Sequence, residues 1–172
     1  METMAPHSEE PVLPDAVDAP AVADDGESFV FERFFEGSVK GWGYFEDRFR
    51  KVRSRFDIDM TGRWLDEVFV MDEVLKLDNG QVQERRWRVY PLGGQRYRAQ
   101  VDDVVGVATG EAIENGVKWA YRIKVPVGGR SLVLAFDDRM HADETGRSVL
   151  NVAVAKKWGV TVGRLVATYW RA

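Results

Sequence analysis

A chain of 172 residues, 45% hydrophobic and 12% aromatic, is the size of one domain with a sizeable core. It has no cysteine and only two histidines, His7 and His141, which argues against disulfides, a thiol nucleophile, cysteine-bound zinc, lipid attachment through cysteine and a histidine-rich metal site. The net charge of −4 is unevenly spread: residues 1–27 hold eight acids and no Lys or Arg, leaving 20 acids against 24 bases in residues 28–172.

Residues 1–27 also carry four of the six prolines. Low hydrophobicity with charge of one sign does not offset the entropy of ordering, so a disordered acidic tail is expected there and a single folded domain over 28–172. The N-terminal stretch lacks the basic and apolar regions of a secretion signal, and no apolar run reaches about 18 residues. A soluble, cytoplasmic protein without a transmembrane segment is expected.

Next comes "SFVFERFFEG", a short apolar segment able to form one or two helical turns across the mouth of a barrel. From there the pattern changes to period two. In "RSRFDIDMTG", Phe56, Ile58 and Met60 fall on one face and Arg55, Asp57 and Asp59 on the other. In "VKWAYRIKV", Val117, Trp119, Tyr121, Ile123 and Val125 oppose Lys118, Arg122 and Lys124. Both are half-buried strands. Turn signals at "DNG" (78–80), "GG" (93–94), "ENG" (114–116), "GG" (128–129) and "ETG" (144–146) separate them. Strands are expected over 37–47, 52–62, 65–77, 82–90, 95–101, 103–113, 117–126, 131–140, 147–156 and 160–170. Antiparallel neighbours joined by tight turns, with no helical crossover, make an all-β, up-and-down barrel of nine or ten strands, closed so that no edge is left.

A barrel of this strand number encloses room for one small ligand. Large residues on the apolar parity (Phe56, Ile58, Met60, Trp87, Tyr97, Trp119, Tyr121, Phe136) alternate with Gly106, Ala108, Gly110, Ala112, Ala135, Ala153 and Ala155, which leave interior space. These large residues, with Asn151 and Arg164 as polar groups, are the candidate ligand-binding set. A filled core is the competing reading.

The basic clusters "RFRKVRSR" (48–55), "RRWR" (85–88) and "RYR" (96–98) raise the question of nucleic acid. Arginines and aromatics mostly fall on opposite parities, however, whereas a stacking surface needs both on one face. The arginines read instead as outer-face charges paired with Asp57, Asp59, Glu67 and Glu84. In "FDDRM" one of Asp137 and Asp138 points inward, where beside Asn151 or Arg164 it could serve as an acid–base group. Asp102 and Asp103 read as turn residues. No nucleotide-binding, phosphate-loop or zinc-protease motif exists, and no cofactor or metal is implied.

The stretches "GWGYFEDRFRKVRSRFDIDMTG", "ERRWRV", "DVVGVATGEA", "VKWAYRIKVPVGGR", "LAFDDRM" and "KKWGVTVG" resemble a bacterial family known as domain of unknown function 3833, over about residues 29–171. That family has no established activity, so the resemblance implies no catalytic residues. Many of its members resemble lipoproteins with an N-terminal cysteine, which this chain lacks. Their genes often lie near those of fatty-acid-modifying enzymes, which implies a link to lipids. More broadly, a short helix, a Gly-Trp opening the first strand and an arginine on the last resemble the lipocalin and fatty-acid-binding barrels. That likeness implies that Trp42 packs at the closed end under Arg171 or Arg164, although Lys40 stands where the group has glycine.

The sequence thus leads to a lipocalin-like barrel that binds or carries a hydrophobic, anionic small molecule such as a fatty acid. Two alternatives remain: an isomerase or cyclase of lipid-derived substrates using Asp137 or Asp138, and a structural module with a filled core.

Overall fold

The computed structural model describes residues 29–127 and 129–172. The expected acidic tail lies outside the described residues. A five-residue helix, α1 (Phe31–Phe35), is followed by β1 (Gly37–Asp47), β2 (Val52–Leu65), β3 (Val68–Leu77), β4 (Val82–Pro91), β5 (Arg96–Gln100), β6 (Ala108–Ile113), β7 (Gly116–Val127), β8 (Arg130–Ala142), β9 (Ser148–Lys157) and β10 (Val160–Arg171). Each strand pairs antiparallel with its neighbour in sequence, and β10 pairs with β1 to close the barrel. Among the described residues no helix is long and apolar enough to cross a membrane.

Alternation sets the register of the core. On β2, Phe56, Ile58 and Met60 are buried while Arg55, Asp57 and Thr61 are exposed. A slip of one residue would turn every apolar side chain of the strand outward. Outer-face ion pairs run across the strands: Asp59 with Lys40 and Lys76, and Asp72 with Arg63 at 2.6 Å and Arg86 at 2.5 Å. At such exposure solvent screens each pair, and none of them decides the fold.

One end of the barrel is plugged by α1. Phe31 meets Trp119 edge-on with centroids 5.3 Å apart, and Phe35 meets Tyr169 at 5.6 Å. The plug seats deeply because Gly62 of β2 has no side chain: a Cβ there would collide with the Phe35 carbonyl oxygen. Toward the other end a second apolar cluster forms around Ile123, Leu134, Phe136, Ala153 and Ala155.

The wall is thinnest beside β5 and β6, which have 5 and 6 residues against 10 in β4 and 12 in β7. β4 pairs with β5 only over Arg88–Pro91, and β7 with β6 only over Gly116–Ala120. The seam between the unpaired halves is covered by the 101–107 connection. Lys124 N–H donates to Asp103 O at 2.9 Å and Val105 N–H to Arg122 O at 2.7 Å. The strand expected from residue 103 therefore starts at 108. Asp102 and Asp103 turn the chain, and Gly106 sits at φ 85, outside strand geometry.

The Trp42 plug is overturned. Trp42 is 44% exposed, lies opposite Thr168 and packs on Tyr44 outside the barrel. Gly41 and Gly43 take the inward parity, where a Cβ on Gly43 would meet the Phe56 ring at 2.7 Å. Arg171 is exposed and donates from Nη2 to the Glu36 carbonyl at 3.4 Å, so neither partner of the expected pair is under the barrel.

Candidate functional site

Inside the barrel, between α1 and the second cluster, lies a chamber of about 120 Å³. Seven of the ten expected ligand-binding residues line it: Phe56, Ile58, Met60, Trp87, Trp119, Tyr121 and Asn151. Three do not. Tyr97 is buried against Phe31 and Trp119, with its hydroxyl donating to Glu32 Oε2 at 3.3 Å; burial, and then the Glu32 charge and hydrogen bond, push its hydroxyl up to about 12. Phe136 is stacked on its cross-strand neighbour Tyr121 at 5.4 Å and belongs to the second apolar cluster. Arg164 has the outward parity, between the lining residue Leu165 and Gly163. Of the two glycines expected to free interior space, Gly106 lies in the connection before β6 and Gly110 makes room for the Trp119 ring, which a Cβ would meet at 2.7 Å.

The "FDDRM" pair separates as two strand parities must. Asp137 faces out and pairs with Lys156 at 2.5 Å. Asp138 faces in, opposite Trp119 and Ala153, and its Oδ2 accepts from the Tyr121 hydroxyl at 3.2 Å and from Asn151 Nδ2 at 3.4 Å. Burial pushes the Asp138 carboxyl up to about 7 against those two hydrogen bonds, helped by the negative charges of Asp137 and Glu73. Burial and then the Asp138 charge hold the Tyr121 hydroxyl well above its ordinary value. Tyr169, which lies beside Asn151, is raised chiefly by burial. Asp138 Oδ1 and Asn151 Oδ1 are buried without a hydrogen-bond partner among the described residues.

A second group was missed from the sequence. Arg85 was read as an outer-face charge, but it shares the parity of Trp87 and Val89 and lines the chamber with Glu73. Its guanidinium lies 3.8 Å from Glu73 Oε2 and 2.7 Å from Asp103 Oδ2, and Trp87 Nε1 donates to Glu73 Oε2 at 3.1 Å. Burial raises the Glu73 carboxyl and outweighs the Arg85 charge beside it, while Glu73 and Asp103 together overcome burial and raise Arg85. The signal was present: Glu73 and Arg85 each break an apolar parity, and a charge in that position marks a paired interior group. Among the described residues, the outer arginines pair with Glu46, Asp47, Asp72 and Asp78. Asp59 pairs with lysines instead.

The arrangement can do two things chemically. Its apolar wall can bury a hydrophobic molecule. Its carboxyl at Asp138, titrating near neutrality, can accept or donate a proton or a hydrogen bond inside the chamber. Among the described residues no cluster of acids and histidines could hold a metal ion.

The fold is similar to that of the S-type phycobiliprotein lyase CPES from Guillardia theta, with a TM-score of 0.61 at 10% identity, covering 83% of this chain and 90% of that one. At that identity the likeness carries the fold alone. Comparison with curated proteins finds no match. A family model described as protein of unknown function (DUF3833) matches residues 15–171, and the chain belongs to that family.

Proposed function

We propose that the barrel binds one hydrophobic small molecule, with its apolar part against Phe56, Ile58, Met60, Leu75 and Trp119 and its polar group at Asp138, Tyr121 and Asn151. The observation that carries this reading is the chamber itself, an apolar space inside a closed barrel into which buried polar groups converge. A barrel built only to be stable has no use for them, since burying polar groups costs more than an apolar filling of the same shape. A lipid with an alkyl chain suits the wall, at about 0.8 kcal/mol per buried methylene. The chamber is smaller than the roughly 300–1,000 Å³ of ordinary ligand sites, so a long chain enters by displacing side chains or α1.

The head group is a separate matter. Arg85, the cation lining the chamber, is engaged by Glu73 and Asp103, while Asp138 adds a third carboxyl. A neutral, hydrogen-bond-donating head, such as a hydroxyl or a protonated acid, fits this charge better than the ionised fatty acid expected from the sequence.

Native mass spectrometry of purified protein, looking for one co-purified molecule per chain, tests the reading, together with displacement of an environment-sensitive dye. Trp119→Ala should weaken dye binding about tenfold, whereas Arg55→Ala, on the outer face, should leave it unchanged. Equal effects of the two substitutions would place the dye outside the barrel.

Asp138 favours a second reading, an enzyme that moves a proton on the bound molecule, because its carboxyl titrates near neutral pH inside the chamber. Incubating a co-purified molecule with the protein and finding it isomerised by wild type but not by Asp138→Asn would support this over carriage alone.

A further inference from the structure

Two side chains at the barrel end opposite α1 serve neither the core nor the chamber. Phe49, in the β1–β2 turn, is 75% exposed, and Trp158, in the β9–β10 turn, is 92% exposed. The two turns are neighbours because β1 pairs with β10: Asp47 lies opposite Gly163, and the Arg48 amide donates to the Val162 carbonyl at 3.0 Å.

Trp158 also occupies a costly backbone position. It sits at φ 49 and is followed by Gly159 at φ 78, the two left-handed residues of a two-residue hairpin turn. Asn, Asp or Gly fills the first of these positions with little strain, and a bulky ring does not. The strain gains no burial in return. A hairpin that only had to reverse the chain would not place its largest side chain there.

One cation lies over each ring. The Arg48 guanidinium lies 4.9 Å from the Phe49 centroid and the Lys157 ammonium 4.6 Å from that of Trp158. Arg50, Lys51, Arg53 and Lys156 complete the set. Three acids oppose them: Glu46 accepts from Arg50 at 3.1 Å, Asp47 pairs with Arg53 at 2.5 Å and Asp137 pairs with Lys156 at 2.5 Å. Among the described residues no ion pair engages Arg48, Lys51 or Lys157, which leaves positive charge beside the two aromatic tips.

We propose that this end of the barrel docks on an anionic lipid bilayer, with Trp158 and Phe49 at headgroup depth and Arg48, Lys51 and Lys157 on the lipid phosphates. The Trp158 indole, apolar with a polar edge, gains most at a membrane interface, the Phe49 ring adds apolar area, and cations next to them gain from its negative surface potential. A single nucleic-acid strand would need the rings on one continuous face for its bases to stack in turn. Here they stand on separate turn tips, which suits insertion into a plane. The 101–107 connection over the seam lies at this same end, since every odd-to-even strand connection does. Docking would therefore bring the thinnest part of the chamber wall to the bilayer.

Flotation of the full chain with vesicles of phosphatidylcholine, alone or mixed with phosphatidylglycerol, tests this. Binding is expected to the mixed vesicles, to fall steeply at about 0.5 M salt, and to weaken about tenfold or more in Trp158→Ala and in Phe49→Ala. Both residues are exposed, so these variants should unfold at the wild-type midpoint, which separates loss of docking from loss of fold. Three results would overturn the proposal: no binding to phosphatidylglycerol vesicles at low salt, wild-type binding by the Trp158→Ala, Phe49→Ala double variant, or tighter binding of a single-stranded oligonucleotide than of the vesicles. The chamber reading stands or falls on the dye experiment, whichever way the vesicles behave.

Discussion

Asp138 and Asp137 are adjacent in the chain and opposite in fate. The inward carboxyl keeps its proton in the folded protein up to about pH 7, whereas in the unfolded chain it releases it near 3.8. Between those values the native state binds more protons than the unfolded state, so the site's contribution to stability falls as pH rises, by roughly 1.4 kcal/mol per pH unit, and levels off above 7. Glu73, also raised by burial, adds in the same direction. The outer carboxylates lowered by their partners, such as Asp59 and Asp72, act oppositely and only below the ordinary carboxylate range. Urea unfolding at about pH 4.5, 6 and 7.5 should therefore show Asp138→Asn matching wild type at the lowest pH and exceeding it by a few kcal/mol at the highest. Parallel curves would mean that Asp138 is ionised and solvated in the native state. At the same scale, Arg85 shows how one position of parity converts a surface arginine into the interior cation of the chamber.

Short elements decide what the long ones leave open. β5 and β6 are too short to fill the gap between β4 and β7, and the 101–107 connection covers it through backbone bonds to β7 and the Asp103–Arg85 pair. Asp103→Asn should weaken that latch alone. Hydrogen exchange at the Val105 and Lys124 amides should quicken while amides paired in β7–β8 keep their protection, and dye entry should accelerate with little change in affinity. Unchanged exchange would assign the cover to the backbone bonds alone. The helix works at the other end. Phe35 of α1 is 1% exposed, and Phe35→Ala should cost about 3–5 kcal/mol in chemical denaturation. A loss below about 1 kcal/mol would show that the plug is not seated against Gly62 and Tyr169.

For the whole molecule, the two ends of the barrel differ in kind: one is sealed by phenylalanines and the other presents basic, aromatic turns and a seam. Strand number, antiparallel order and most boundaries were legible in the chain because alternation and turn glycines are local signals, repeated in every hairpin. Phe56, Ile58, Met60, Trp119 and Tyr121 were found as lining residues on the same ground, since parity alone chooses their face. What the chain could not disclose depends on distance across the barrel. The start of β6 at Ala108 follows from the seam. Gly110 serves a ring on the neighbouring strand, and the exposure of Trp42 depends on Gly41 and Gly43 packing against Phe56 and Tyr169. Asn151 and an inward carboxyl of the Asp137–Asp138 pair were expected from the chain, but that Glu73 and Arg85 join them required knowing which strands converge, because residues up to 78 positions apart along the chain line one chamber only after closure. Local propensity and period determine which face a side chain takes. Only the closed barrel determines what that face is opposite, and hence which charges are paired, which carboxyl keeps its proton and where space is left for a ligand.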